Sequence, residues 1–213
     1  MRSTVLFASA ITFCALSAQA QRAVPRAERL EVTFIKDAQR PPDHTWQSTL
    51  RARTAWRQFV AANPSWPVAV NEANGLPHRA FGRPIPSTGA TPGEQAQAFL
   101  AGQLGAFGLP LDELQVKHVS STNKYHFVHF NQRHQGVDVL FGHVVVKLDM
   151  QGRVVQFGLD AYPGIETAMA PVMDGATAGN AATAGLSQVT TVEHQGLRIL
   201  PVPVWHGVEH RLV

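Results

Sequence analysis

The chain has 213 residues, of which 45% are hydrophobic and 15% charged, so it can bury a core and is not a wholly disordered protein. Eighteen Lys and Arg residues stand against 15 Asp and Glu, without a basic run interleaved with aromatics, which argues against nucleic-acid binding. The single cysteine, Cys14, lies in the N-terminal leader, which excludes disulfides, a thiolate nucleophile and cysteine metal ligands from the rest of the chain.

Residues 1–20 have the pattern of a secretory signal peptide. Arg2 supplies a positive charge, residues 5–16 are mostly apolar, and Ala18-Gln19-Ala20 is a cleavage pattern. The apolar stretch is shorter than the ~18 residues that a membrane span needs. Phe13 stands before Cys14 where a lipidation site would have a small residue. We therefore expect a secreted protein, extracellular or periplasmic, that has no membrane contact after cleavage.

Residues 21–42 are predicted to form an extended arm, and two helices and a hairpin follow it. The first helix is predicted over residues 43–63, with Asp43 as its N-cap and Pro64 beyond its end. Asn74-Gly75 predicts a tight turn in an edge hairpin. The second helix begins with Thr-Pro-Gly-Glu at 91–94, which has the spacing of a capping box.

Residues 115–158 are rich in strand formers. Gln135-Gly136 and Gln151-Gly152 mark two turns, and strands joined by short turns are antiparallel. The aromatic residues change alternation near Val128, which predicts a β-bulge or a strong twist there. An antiparallel meander with two helices on one face is an α+β fold.

A second, smaller α+β module is predicted after residue 163. Residues 170–189 are rich in Ala, Gly and Thr, and 164–176 are predicted to be a linker leading into a weak helix at 176–186. Two apolar runs follow, and the sequence stops inside the second, at His-Arg-Leu-Val. We therefore expect 177–213 to be an incomplete module.

The sequence contains no recognisable catalytic motif. It lacks the H-E-x-x-H string of zinc proteases, the G-x-S-x-G elbow and a glycine-rich phosphate loop. Four histidines cluster in the meander, at 126, 129, 134 and 143, and two of them could face each other across strands. Histidines scattered over strands are usually surface residues. No catalytic, cofactor-binding or metal residue is therefore predicted, and the partner-binding residues are not identified.

The meander resembles the fungalysin/thermolysin propeptide (FTP) domain. The resemblance rests on the order of a glutamine, Gly-Val-x-Val, a small-residue turn, a valine run and Asp-x-x-Gly. These elements are Gln132, Gly136-Val137-Asp138-Val139, Gly142, Val144-Val145-Val146, Asp149, Gly152 and Val154-Val155. His134 departs from the pattern, since an aromatic residue is more usual there. By this resemblance, 43–163 is an FTP-type domain, and the part after about residue 168 is similar to the start of a PepSY-like module.

The resemblance implies the propeptide of a secreted zinc metalloprotease precursor, which assists folding of the catalytic domain and inhibits it. That domain and its zinc are expected to be missing from this chain, which would itself be no enzyme and need no cofactor. The alternative is a free-standing secreted module that inhibits a protease in trans or binds an envelope partner. The apolar end at 213 favours the first interpretation. A small hydrolase with a dispersed site is a third interpretation.

Overall fold

The computed structural model describes residues 41–213, except 187, 190, 193–195 and 205–206. The predicted signal peptide lies outside the described residues, as does the predicted arm apart from its last two positions. The described helices are α1 (His44–Arg51), α2 (Thr54–Ala62), α3 (Pro92–Gln103) and α4 (Gly175–Thr183). The described strands are β1 (Val68–Val70), β2 (Pro77–Pro86), β3 (Leu114–Ser121), β4 (Tyr125–His134), β5 (Val137–Asp149), β6 (Arg153–Asp160), β7 (Arg198–Val204) and β8 (Gly207–Leu212).

The strands form a single sheet in the described part of the chain. Six of them follow the order β1-β2-β6-β5-β4-β3 with antiparallel neighbours. Strand β7 runs parallel to the start of β5, and β8 pairs with β7 in antiparallel fashion. The predicted meander corresponds to β4, β5 and β6, and the predicted α+β class is confirmed. The division into an FTP-type domain, a linker at 164–176 and a second module stays a prediction.

The first predicted helix is two helices. Ala52 ends α1 in helical conformation, but Arg53 is extended, with φ −60° and ψ 145°, so the chain changes direction before α2 begins. Asp43 caps α1 as predicted, since its carboxylate accepts hydrogen bonds from the N–H groups of Thr45 and Trp46. Because residues 52 and 53 carry no proline or glycine, the hydrophobic spacing alone predicts one continuous helix.

The capping box of α3 is confirmed. Thr91 Oγ1 accepts a hydrogen bond from the Glu94 N–H at 3.2 Å, and Glu94 Oε2 accepts one from the Thr91 N–H at 3.1 Å. Pro92 occupies the first helical position, where its missing N–H costs nothing. The helix therefore begins at a fixed point above the sheet.

Helices α2 and α3 cover one face of the sheet. Phe59 and Phe99 both contact Phe157 of β6, with ring centroids 5.4 Å apart in each pair. Below them, Val128 of β4 lies directly opposite Val146 of β5. Fully buried side chains in this core include Phe99, Leu100, Leu104, Val128, Phe130, Val144, Val146, Leu148, Phe157 and Leu159. No described helix covers the opposite face of β3 to β6, which we call the outer face.

No register shift falls at Val128, where the sequence predicts a bulge or a strong twist. Val128 pairs in register with Val119 on one side and Val146 on the other. The register shifts instead between Val116 and His118 of β3, and between Asn131 and Arg133 at the β4–β5 pairing. The change of alternation has another cause, because Tyr125 and Phe127 lie on the face of β4 opposite to Val128 and Phe130. Their half-buried rings lie on the outer face beneath the ammonium group of Lys147.

Candidate interaction surface

Gln132, the glutamine of the family pattern, is a structural residue. It is fully buried, and its side-chain amide pairs with the backbone of Tyr162, both hydrogen bonds being 2.8 Å long. Its Nε2 also donates to Glu113 Oε2 at 2.7 Å. The other oxygen of Glu113 binds His134 Nδ1, so one carboxylate joins both side chains of β4. These contacts hold the segment that follows β6 against strand β4.

Asp149 organises the β5–β6 turn. Its carboxylate accepts hydrogen bonds from the backbone N–H groups of Gln151 and Arg153 and from Arg153 Nε, at 2.7 to 3.0 Å. Burial alone would raise the pKa of Asp149, but the hydrogen bonds from Arg153 and Gln151 outweigh it and hold the pKa below its usual value. Gly152 adopts φ +74°, which glycine accommodates without strain. The Asp-x-x-Gly pattern therefore specifies the β5–β6 turn.

A kink in β5 exposes an aromatic side chain. The strand pairs with β7 at Val139 and with β6 from His143 onward, so its neighbour changes between these residues. A Cβ at Gly142 would lie 2.9 Å from the Gln132 side chain, which explains the small residue. Phe141 beside it has φ +61° and is 71% exposed. A left-handed backbone is unfavourable for so bulky a residue.

The structure separates the four histidines of the meander. His129 Nδ1 and His143 Nε2 lie 3.0 Å apart on the outer face, so two of the four do meet across strands. His126 instead binds Ser121 Oγ, and His134 binds Glu113. Among the described residues, no group of three or more His, Cys, Asp or Glu side chains has an arrangement that could hold a metal ion.

A third histidine joins the pair from the neighbouring strand. The ring of His118 stacks on that of His129 with centroids 4.2 Å apart, and His129 stacks on His143 at 5.2 Å. We call these three residues the histidine row. The sequence gives no sign of His118 as a member, because the register shift beside Lys117 decides which β3 residue faces His129.

The histidine row continues into an ion pair on β6 and β2. His143 lies opposite Asp160, whose carboxylate binds His78 Nδ1 at 2.8 Å. This hydrogen bond raises the pKa of His78. Burial, together with the charges of His118 and His143, lowers the pKa of His129. Burial also lowers the pKa of His143, against a smaller raising effect of Asp160. His129 and His143 therefore favour the neutral imidazole, whereas His78 favours its cation.

The central strands of the sheet match a known protein family. Residues 112–161 match the family described as Fungalysin/Thermolysin Propeptide Motif. The matched segment contains β3 to β6 together with Gln132 and Asp149, so the resemblance drawn from the sequence is confirmed for these residues. The matched motif belongs to a propeptide and not to a catalytic domain.

One solved structure is similar over most of the chain. The Bacillus megaterium YpeB C-terminal domain matches with a TM-score of 0.37 and 12% identity, covering 81% of this chain and 85% of that one. So weak a likeness establishes neither a shared fold nor a shared function, and the PepSY-like module stays a prediction. No curated protein matches this sequence. Among the described residues, no helix is long and apolar enough to cross a membrane.

Proposed function

We propose that this chain is the propeptide region of a secreted, thermolysin- or fungalysin-like zinc metalloprotease. It acts as an intramolecular chaperone and as an inhibitor of the catalytic domain, which lies outside these 213 residues. The observation that carries the proposal is the match of residues 112–161 to the propeptide motif. Residues 1–20 direct secretion, and the zinc belongs to the catalytic domain.

The rigidity of the sheet supports a role as a folding template. Gln132 and Asp149 satisfy backbone groups at both ends of the meander, so its strands hold a fixed shape. A partner that binds only the folded enzyme stabilises it in proportion to its affinity and concentration. A covalent tether keeps the local concentration high, and inhibition follows from the same binding free energy.

Refolding of a protease tests the chaperone role. A denatured thermolysin-like catalytic domain is diluted into zinc-containing buffer, with or without the purified protein, and the recovered peptidase activity is measured. We expect a several-fold higher yield with the protein present, and no gain from a basic globular protein of similar size. Equal yields with and without the protein would contradict the chaperone role.

A further inference from the structure

The outer face of the sheet presents a continuous surface across five strands. One line of cross-strand neighbours runs from Ser120 on β3 through Phe127, Lys147 and Gln156 to Phe81 on β2. The next line contains His118, His129, Val145 and Gly158. The two lines place aromatic, aliphatic and cationic groups side by side.

The cations of this surface lack carboxylate partners. Lys117 lies near the outer-face histidines, since burial and, to a smaller extent, its charge lower the pKa values of His129 and His143. Lys117 and Lys147 form no ion pair with any described residue, and Lys147 Nζ instead lies 3.8 Å from the centroid of the Tyr125 ring. The carboxylates nearby are already engaged, since Asp160 binds His78 and Asp149 binds Arg153. The unpaired charge on the outer face is therefore positive.

The apolar part of the surface lies around Lys147, with Phe127 of β4 on the side of Lys117 and with Gly158 of β6 and Phe81 of β2 on the other side. Phe81 is 52% exposed, and Phe127, Val145 and Gly158 are half-buried. A Cβ at Gly158 would lie 2.5 Å from the His78 carbonyl oxygen, so no side chain fits at this point and the surface stays low. Aromatic residues beside cations are common at protein interfaces, where the charges form the rim.

We propose that the outer face of β3, β4 and β5 is the docking surface for a protein partner that presents carboxylates around an apolar patch. The unpaired lysines select such a partner by charge complementarity, and the apolar residues beside them supply buried area. Two copies of this surface would place lysines against lysines, which disfavours self-association. The inference deepens the proposed function by assigning the surface that meets the protease.

Charge reversal on the outer face tests the inference. The binding of an inactivated thermolysin-like protease is measured by calorimetry for the wild type, for Lys117→Glu with Lys147→Glu, and for the control Arg57→Glu. Arg57 lies exposed on α2, away from the outer face. We expect the double variant to weaken binding about tenfold or more and the control to leave it unchanged. Circular dichroism shows whether the variants fold. If the double variant does not fold, binding is measured for Lys117→Glu alone.

The outcomes separate the two proposals. If the wild type binds the protease and the double variant binds it equally well, the docking surface is overturned while the proposed function stands. A sedimenting dimer that the double variant converts to a monomer would also overturn the inference, because a second copy would then occupy the surface.

An NMR titration with poly-L-glutamate tests the surface without a protease. We expect shifts of amide signals from β3 to β5, weakening as salt is added. If the signals stay unchanged, or only signals of the helices move, the inference is overturned whatever the protease shows.

Discussion

The side chain of Gln132 and the backbone of Tyr162 form a reciprocal pair of hydrogen bonds. Gln132 Oε1 accepts from the Tyr162 N–H, and Gln132 Nε2 donates to the Tyr162 carbonyl oxygen, both at 2.8 Å. The glutamine thus substitutes for a neighbouring strand where the chain leaves β6. Its place in the propeptide motif follows from this backbone pairing.

Replacing this glutamine should destabilise the fold strongly. Gln132→Leu leaves two buried backbone groups of Tyr162 unpaired, so we expect the free energy of unfolding to fall by about 3 kcal/mol. Urea unfolding measures the change. Asn131→Ala, one residue away on the outer face, is the control and should change it by less than about 0.5 kcal/mol. Equal effects of the two substitutions would show that the hydrogen-bond pair contributes little.

The left-handed backbone at Phe141 predicts a stabilising substitution. Phe141→Gly relieves a φ of +61° at a side chain that is 71% exposed. We expect the free energy of unfolding to rise by about 0.5 to 1 kcal/mol, since the relieved strain exceeds the entropic cost of glycine. Leu140→Gly, at a position without positive φ, should destabilise instead. A loss of stability in Phe141→Gly would contradict the assignment of strain.

The capping box should be worth about 1 kcal/mol to the fold. Thr91→Ala removes the acceptor for the Glu94 N–H at the start of α3, so the midpoint of thermal or urea unfolding should fall. Thr88→Ala removes an exposed threonine three residues earlier that makes no such contact and is the control. The assignment fails if both variants unfold together with the wild type.

The histidine row predicts loss of stability in acid. The pKa values of His129 and His143 are lowered in the folded state, so the unfolded chain takes up protons first as pH falls below about 6.5. Their contribution is complete above that pH and is lost as pH falls through the folded-state pKa values. His78 acts in the opposite direction, because its raised pKa adds stability in acid that is lost as pH rises.

A double variant isolates the row from the other histidines. The free energy of unfolding is measured by urea denaturation between about pH 7 and pH 5, where histidines titrate. We expect His129→Gln with His143→Gln to lose less stability over this range than the wild type. His44→Gln, on the exposed start of α1, should keep the wild-type slope. If the free energy of unfolding of the double variant changes with pH as it does in the wild type, the histidine row is not the cause of the loss of stability in acid.

The sequence predicts the meander because its local signals agree. Gln135 and Gly136 both have positive φ, as a two-residue hairpin turn requires, and Gly152 has it at the second turn. The histidine row could not be predicted in the same way. Which side chains meet across strands depends on register, and the shift between Val116 and His118 sets it.

The outward aromatic residues and the helix break were missed for related reasons. Tyr125 and Phe127 resemble core residues in sequence, but a lysine on the adjacent strand covers their rings. The chain changes direction at Arg53, but no proline or glycine marks this position in the sequence. The family pattern locates Gln132 and Asp149 correctly, yet it marks residues that hold the fold and not those that face a partner.

Inhibition of a thermolysin-like zinc endopeptidase by the purified protein tests the central claim most directly. The protein is titrated into the enzyme while hydrolysis of a fluorogenic peptide is followed, and serum albumin serves as the control for a competing substrate. The account predicts saturable inhibition by this protein and none by albumin. Full activity at about 100 µM protein, where even micromolar binding would be visible, would contradict the claim that this chain is an inhibitory propeptide.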